Sequence, residues 1–225
     1  VWEKAYVIPN GHDLERIDAL STLPVDITIH SPCVVAMGRL HEVKGYRHLL
    51  RAFAGVVQDV PQATLLFLGD GDQRESLEAL AQALGIAAHV TFLGYQANPY
   101  RYLARCDLYV MSSIHEGLPN ALIEAMACGL PAISTDCQTG PREILDDSET
   151  SDVTPVIELA GYGVLVPPFQ ADAAPEPEAE EWLRQAMVML LKDDGMRARY
   201  AEKAKERSAM FSLDGYGRML NTLLK

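Results

Sequence analysis

Short apolar runs alternate along this chain with longer stretches whose apolar residues recur every three or four positions. The runs read as buried strands over Val34–Met37, Ala63–Leu68, His89–Phe92, Leu108–Met111, Leu130–Ser134 and Gly163–Val166. Between them the helical period predicts a helix from Gly45 to Val57, with Leu49, Leu50, Phe53 and Val57 on one face. A second runs to about Leu84, capped by Asp72 with Glu75 three residues on, an arrangement that suits a capping box. Asn98–Ala104 and Pro119–Cys128 read as helices too, and Glu178–Lys192, Met196–Met210 and Leu213–Leu224 follow the last strand. Strands that are apolar throughout need cover on both faces, which the intervening helices supply. The pattern predicts an α/β fold, a Rossmann-like doubly wound parallel sheet of about six strands. No internal repeat is present, and the polar stretch Asp147–Ala160 predicts no element.

Composition narrows the picture. The 225 residues suffice for one α/β domain with a sizeable core, and 48% hydrophobic with 22% charged residues is ordinary for a globular chain. No apolar run approaches the length of a membrane-spanning helix, and the N-terminus lacks the layout of a secretory signal. The first residue is Val1 rather than Met, and a segment of a longer protein is expected. A net charge of −12 disfavours nucleic acid or an anionic membrane surface as the main partner. Much of the acid lies in Ala171–Glu181, which reads as a solvated loop running into a helix. Cys33, Cys106, Cys128 and Cys137 have no CxxC spacing and apolar neighbours, as buried free thiols of a reducing compartment would.

Ligands of doubly wound sheets bind beyond the carboxyl ends of the strands, so the loops after the first and fourth strands matter most. The first is Gly38-Arg39-Leu40-His41-Glu42-Val43-Lys44-Gly45. Its glycines admit close backbone approach, Arg39 offers a planar fork to phosphate oxygens and Lys44 a compact second charge. Alone, such a turn is equally a solvated basic loop; it has neither Walker nor GxGxxG spacing. The second is His115-Glu116-Gly117-Leu118-Pro119-Asn120-Ala121-Leu122-Ile123-Glu124. Pro119 suits a first helical position, leaving the amides of Asn120, Ala121 and Leu122 free to face a ligand. Glu124 lies in the largely apolar stretch ALIEAMACGL and needs donors: a ribose diol, a core Arg or backbone N–H groups would each serve. Glu116 is either a sugar-hydroxyl acceptor or an exposed loop acid. Asp70-Gly71-Asp72 is a DxD string, but it occupies a post-strand turn in which Asp72 is already accounted for as a helix cap.

Taken together, GRLHEVKG and EGLPNALIEAMACGLPAISTD resemble the signature of glycosyltransferase family 4: a Glu, seven residues and a second Glu, with a phosphate-binding Arg and Lys upstream. IPNGHD at Ile8–Asp13, FLGDGDQRESLEALAQALG, VTFLGY and GVLVPP fall in the order that family has. The resemblance implies a GT-B enzyme whose C-terminal Rossmann-like domain binds a nucleotide-sugar donor. It implies that Arg39 and Lys44 neutralise the diphosphate and, with Glu116, form the catalytic set. Glu116 would hold hydroxyls of the transferred sugar and Glu124 the ribose. The Gly117, Leu118, Pro119 and Asn120 turn would touch phosphates or sugar, and the base would lie against Gly94–Tyr95. Retaining transfer without metal or cofactor follows, with UDP favoured over GDP as carrier of a hexose or N-acetylhexosamine. The acceptor, a glycan or lipid-linked glycan, would sit in an N-terminal domain this chain does not contain. The expected layout is an entering segment over 1–30, the donor domain over 31–211 and a returning helix over 212–225. A cytoplasmic location is expected, with contact at the inner membrane face through the other domain. Two alternatives remain at this point: a nucleotide-sugar binding module without transferase activity, and a GT-B-type nucleotide-sugar epimerase.

Overall fold

A computed structural model describes residues 9–146, 153–171 and 174–223. Within these residues seven strands form one sheet: β1 (Cys33–Met37), β2 (Thr64–Leu68), β3 (Val90–Phe92), β4 (Leu108–Met111), β5 (Ala132–Thr135), β6 (Glu158–Leu159) and β7 (Val164–Val166). Their spatial order is β3-β2-β1-β4-β5-β7-β6. The first five and β7 are parallel, with Val34 opposite both Leu65 and Leu108. Among the described residues only the two-residue edge strand β6 runs antiparallel, against β7. The doubly wound sheet is therefore as expected, with one short strand added from the end of the polar 147–160 stretch; residues 147–152 lie outside the described residues.

Alternation along the strands divides the core in two, because successive side chains point to opposite faces. Val34, Ala36, Leu65, Phe67, Val110 and Ile133 meet α2 (Tyr46–Asp59), α3 (Arg74–Ala83) and α7 (Pro177–Lys192) on one face. Val35, Leu66, Tyr109, Met111, Ala132 and Leu165 pack on the other against α4 (Tyr100–Leu103), α5 (Asn120–Ala127), α6 (Pro141–Leu145) and α8 (Asp194–Ser208). A fully buried side chain of this size stabilises by about 1.5–3 kcal/mol, so the central strands carry much of the stability. The short helix α1 (Leu14–Ser21) lies on α4 and α5, and α9 (Leu213–Leu223) ends the described chain with no buried residue.

Several local expectations change. Helix α3 starts at Arg74 behind Gln73, so Asp72 is exposed and caps nothing. Pro119 is the residue before α5 rather than its first residue, and the Leu122 amide donates to its carbonyl at 3.1 Å. Only Asn120 and Ala121 keep amides that donate to no backbone acceptor among the described residues. The acidic stretch is not wholly solvated either. Glu180 is buried, accepts from His48 Nδ1 at 2.7 Å and pairs with Arg51 at 3.3 Å. Glu176 accepts the amides of Gln170 and Ala171 at 2.8 and 2.9 Å. Two acids of that run thus close the loop onto α2; residues 172–173 are outside the description.

Candidate functional site

The strand order reverses between β1 and β4, so the loops that follow these two strands diverge around a crevice at their carboxyl ends. The β1 loop winds one 3-10 turn over Glu42–Lys44, with the His41 ring accepting the Val43 amide at 3.4 Å. Gly45 then takes φ +61° and starts α2. A Cβ on Gly45 would stand 2.1 Å from the Ser112 carbonyl oxygen, so only glycine permits this approach of the two loops. The contact is sealed by Ile114 N donating to Val43 O at 2.9 Å and Ser112 Oγ donating to Lys44 O at 2.8 Å.

This seam brings Lys44 to Glu116. Their Nζ and Oε1 atoms are 2.6 Å apart, with side chains 23% and 11% exposed. Ser113 Oγ donates to the same oxygen at 2.7 Å. Thr139 Oγ1 donates to the Glu116 carbonyl, and Gly140, at φ +90°, packs where a Cβ would overlap Gly117 O. The β5–α6 loop carrying both residues is anchored by Asp136, only 2% exposed, which accepts Arg142 Nη2 at 2.6 Å and Thr154 N at 2.7 Å. Arg142 also bridges to Glu158 on β6 at 2.9 Å.

Arg39, on the same β1 loop as Lys44, is exposed and has no side-chain partner among the described residues. It borders a cleft of about 290 Å³ that also includes Met37, Gly38, Asp70, Tyr95 and Pro99. Tyr95 is 80% exposed, and Gly94, at φ +77°, holds its loop to the β2 end through Gly69 N to Gly94 O at 2.9 Å. Asp70 turns one carboxylate oxygen onto the Gly71 amide at 2.9 Å. Gly117 and Leu118 line a second cleft of about 690 Å³, with Asn10, Phe211 and Met219 among its walls.

Two expected residues stand apart from the Lys44–Glu116 pair. Glu124, half-buried on α5, accepts from Tyr100 Oη at 3.2 Å. Desolvation raises its pKa, and the tyrosine bond only partly opposes that. Asn120 faces the entering segment: its Oδ1 accepts Asn10 Nδ2 at 3.1 Å, near buried His12, whose pKa burial lowers. The entering segment therefore engages the Asn120 side chain, while its backbone amide donates to no backbone acceptor among the described residues.

The family model for glycosyl transferases group 1 matches residues 27–207, which includes every one of these site residues except Asn10 and His12 on the entering segment and Phe211 and Met219 at the far wall. The chain belongs to this family. An uncharacterised glycosyltransferase of Methanocaldococcus jannaschii is 36% identical over 90% of this chain and 54% of its own length. The Campylobacter jejuni N-acetylgalactosamine-N,N'-diacetylbacillosaminyl-diphospho-undecaprenol 4-alpha-N-acetylgalactosaminyltransferase is 32% identical over 93% and 50%. The chain thus spans about half the length of the curated relatives it matches. Among solved structures, Anabaena HepE in complex with UDP and glucose aligns at a TM-score of 0.77 and 25% identity, over 97% of this chain and 56% of that one. The C-terminal domain of a Francisella tularensis group 1 glycosyltransferase aligns at 0.68 and 19% identity, a likeness of fold, over 90% of this chain and all of that one.

Some residues of the candidate site escape sequence reasoning. Ser112 and Ser113 follow β4 directly, and their position alone could have marked them. Thr139, Tyr100 and Asn10 carry no local signal, because each acquires its role from a partner 23, 24 or 110 residues away.

Proposed function

We propose that this chain is the donor-binding half of a retaining glycosyltransferase of family 4. It moves a hexose or N-acetylhexosamine from a nucleoside diphosphate sugar to a glycan or lipid-linked acceptor, with no divalent ion. The observation that carries the reading is the Lys44–Glu116 pair at the topological switch point, with Arg39, unpartnered among the described residues, on the same loop as Lys44. As the bond from sugar to phosphate breaks, negative charge grows on the leaving diphosphate and positive charge on the ring. Arg39, Lys44 and the amides of Asn120 and Ala121 supply fixed positive potential toward the diphosphate. Glu116, released from Lys44, accepts sugar hydroxyls; Glu124 takes the ribose diol in exchange for the Tyr100 hydroxyl. The base lies against the Gly94–Tyr95 loop, in the cleft beside Arg39. UDP is favoured as carrier, supported by HepE's complex with UDP and glucose. The acceptor enters through the other half of the longer protein, toward which α9 returns.

Thermal denaturation of the chain with UDP, GDP and their sugars, in excess EDTA, tests this reading. Stabilisation by UDP that survives EDTA and vanishes in Arg39→Ala or Lys44→Ala is expected. Stabilisation that appears only with Mg²⁺ overturns the metal-free reading. Sugar transfer by the intact protein, lost in Glu116→Ala, separates a transferase from a binding module.

A further inference from the structure

At the end of the sheet opposite the crevice, Cys33 Sγ and Cys106 Sγ lie 3.5 Å apart. Cys33 opens β1, and Cys106 closes the turn leading into β4. The backbone fixes this meeting. Asp107 N donates to Cys33 O at 2.8 Å, and Cys33 N donates to Asp107 Oδ2 at 2.7 Å. Cys33 therefore stands across from Asp107, one residue from Cys106. Given the spacing of neighbouring strands and the rise per residue, that diagonal is ~6 Å between Cα atoms, within the span a disulfide bridges. Cys33 is only 2% exposed, but a cleft of about 120 Å³ between His30, Thr64 and His89 reaches it. Cys128 and Cys137 have no thiol partner among the described residues.

We propose that Cys33 and Cys106 form a peroxide-sensitive dithiol, a modification site that closes to a disulfide across the bases of β1 and β4. The chemistry balances in two steps. The Cys33 thiolate attacks one oxygen of a hydroperoxide; the O–O bond breaks, leaving Cys33 as sulfenic acid, and the departing oxygen takes the thiol's proton as water or alcohol. Cys106 sulfur then attacks the sulfenic sulfur, expelling hydroxide, which takes the Cys106 proton as a second water. The peroxide gains two electrons and the two thiols lose them. Cys33 is the attacking sulfur, since the cleft beside His30, Thr64 and His89 opens on Cys33 and does not include Cys106; the contact with Cys106 also acts to lower its pKa. Burial pushes Cys128 to about 12 and Cys137 to about 11, which keeps both as unreactive thiols.

The test treats the folded chain with stoichiometric hydrogen peroxide, blocks remaining thiols with N-ethylmaleimide and maps peptides without reduction. A Cys33–Cys106 crosslink with Cys128 and Cys137 alkylated is expected, and the Cys106→Ser variant should instead yield a dimedone adduct on Cys33. Alkylation of both Cys33 and Cys106 after peroxide overturns the proposal. So does oxidation of Cys128 or Cys137 at the same rate, or a dimedone-negative Cys106→Ser chain whose unaltered thermal transition reports an intact fold.

Discussion

Glu116 pairs with Lys44, and the proposed diphosphate must compete for that cation. At 2.6 Å and an effective dielectric constant of about 20, two unit charges attract by roughly 6 kcal/mol. Much of this is offset by desolvating both groups, for the side chains are only 23% and 11% exposed. A hydrogen bond to a charged group has a net worth of about 1.5–3 kcal/mol. Lysine has three N–H donors, so part of the bond survives when a phosphate arrives. Changing Glu116→Gln should therefore release about 1–2 kcal/mol and tighten bare UDP roughly 5- to 30-fold. A UDP-sugar should gain less, because the amide is a poorer acceptor for sugar hydroxyls. Titration calorimetry with UDP and with UDP-sugars, on wild type and Glu116→Gln, measures both. Weaker or unchanged UDP binding by a variant of unaltered thermal stability refutes the competition, and with it the assignment of Lys44 to the diphosphate.

Glu124→Ala should weaken bare UDP by about tenfold, the scale of a lost charge-assisted hydrogen bond, whereas Glu116→Gln should not; equal losses on calorimetry would contradict the assigned roles. Arg142→Met strands the Asp136 carboxylate at 2% exposure and should cost about 3–5 kcal/mol in urea unfolding. Gly45→Ala must leave the left-handed region or meet Ser112 O; a cost of at least about 1–2 kcal/mol and loss of the UDP-induced thermal shift are expected. His48 is fully buried, with Nδ1 on Glu180 and Nε2 2.6 Å from Ala171 O, and two acceptors require both ring nitrogens to carry protons. Desolvation lowers its pKa, but the Glu180 and Ala171 bonds outweigh it and raise the value above 6.5, while the His48 bond helps bring Glu180 below 4.5 against its own desolvation. The imidazolium's contribution is thus full below pH 6.5 and lost as pH rises through the raised value. That of Glu180 is present above pH 4.5 and lost as pH falls through the lowered one. Urea unfolding from pH 4 to 9 should show this maximum, and His48→Gln should remove the alkaline decline.

The sequence by itself determined the sheet. Fully apolar runs such as Leu108–Met111 can be satisfied only by burial on both faces, and the intervening helical periods forced parallel crossovers. Glycines and charges at two post-strand loops nominated the candidate site, because a strand's carboxyl end is where such a sheet opens. Short elements stayed hidden: α1, α6 and β6 hold eight, five and two residues, too few for a period to declare itself. The caps misread at Asp72 and Pro119 depended on one residue's backbone angle, which local composition does not set. Tertiary structure alone decided the pairings. Lys44 meets Glu116 across 72 residues, His48 meets Glu180 across 132, and Cys33 meets Cys106 across 73. Each pairing depends on the strand order, which sets β1 beside β4 and α2 beside α7. The order is chosen by packing the whole core, so a local pattern can nominate a charged or reactive side chain but cannot name its partner.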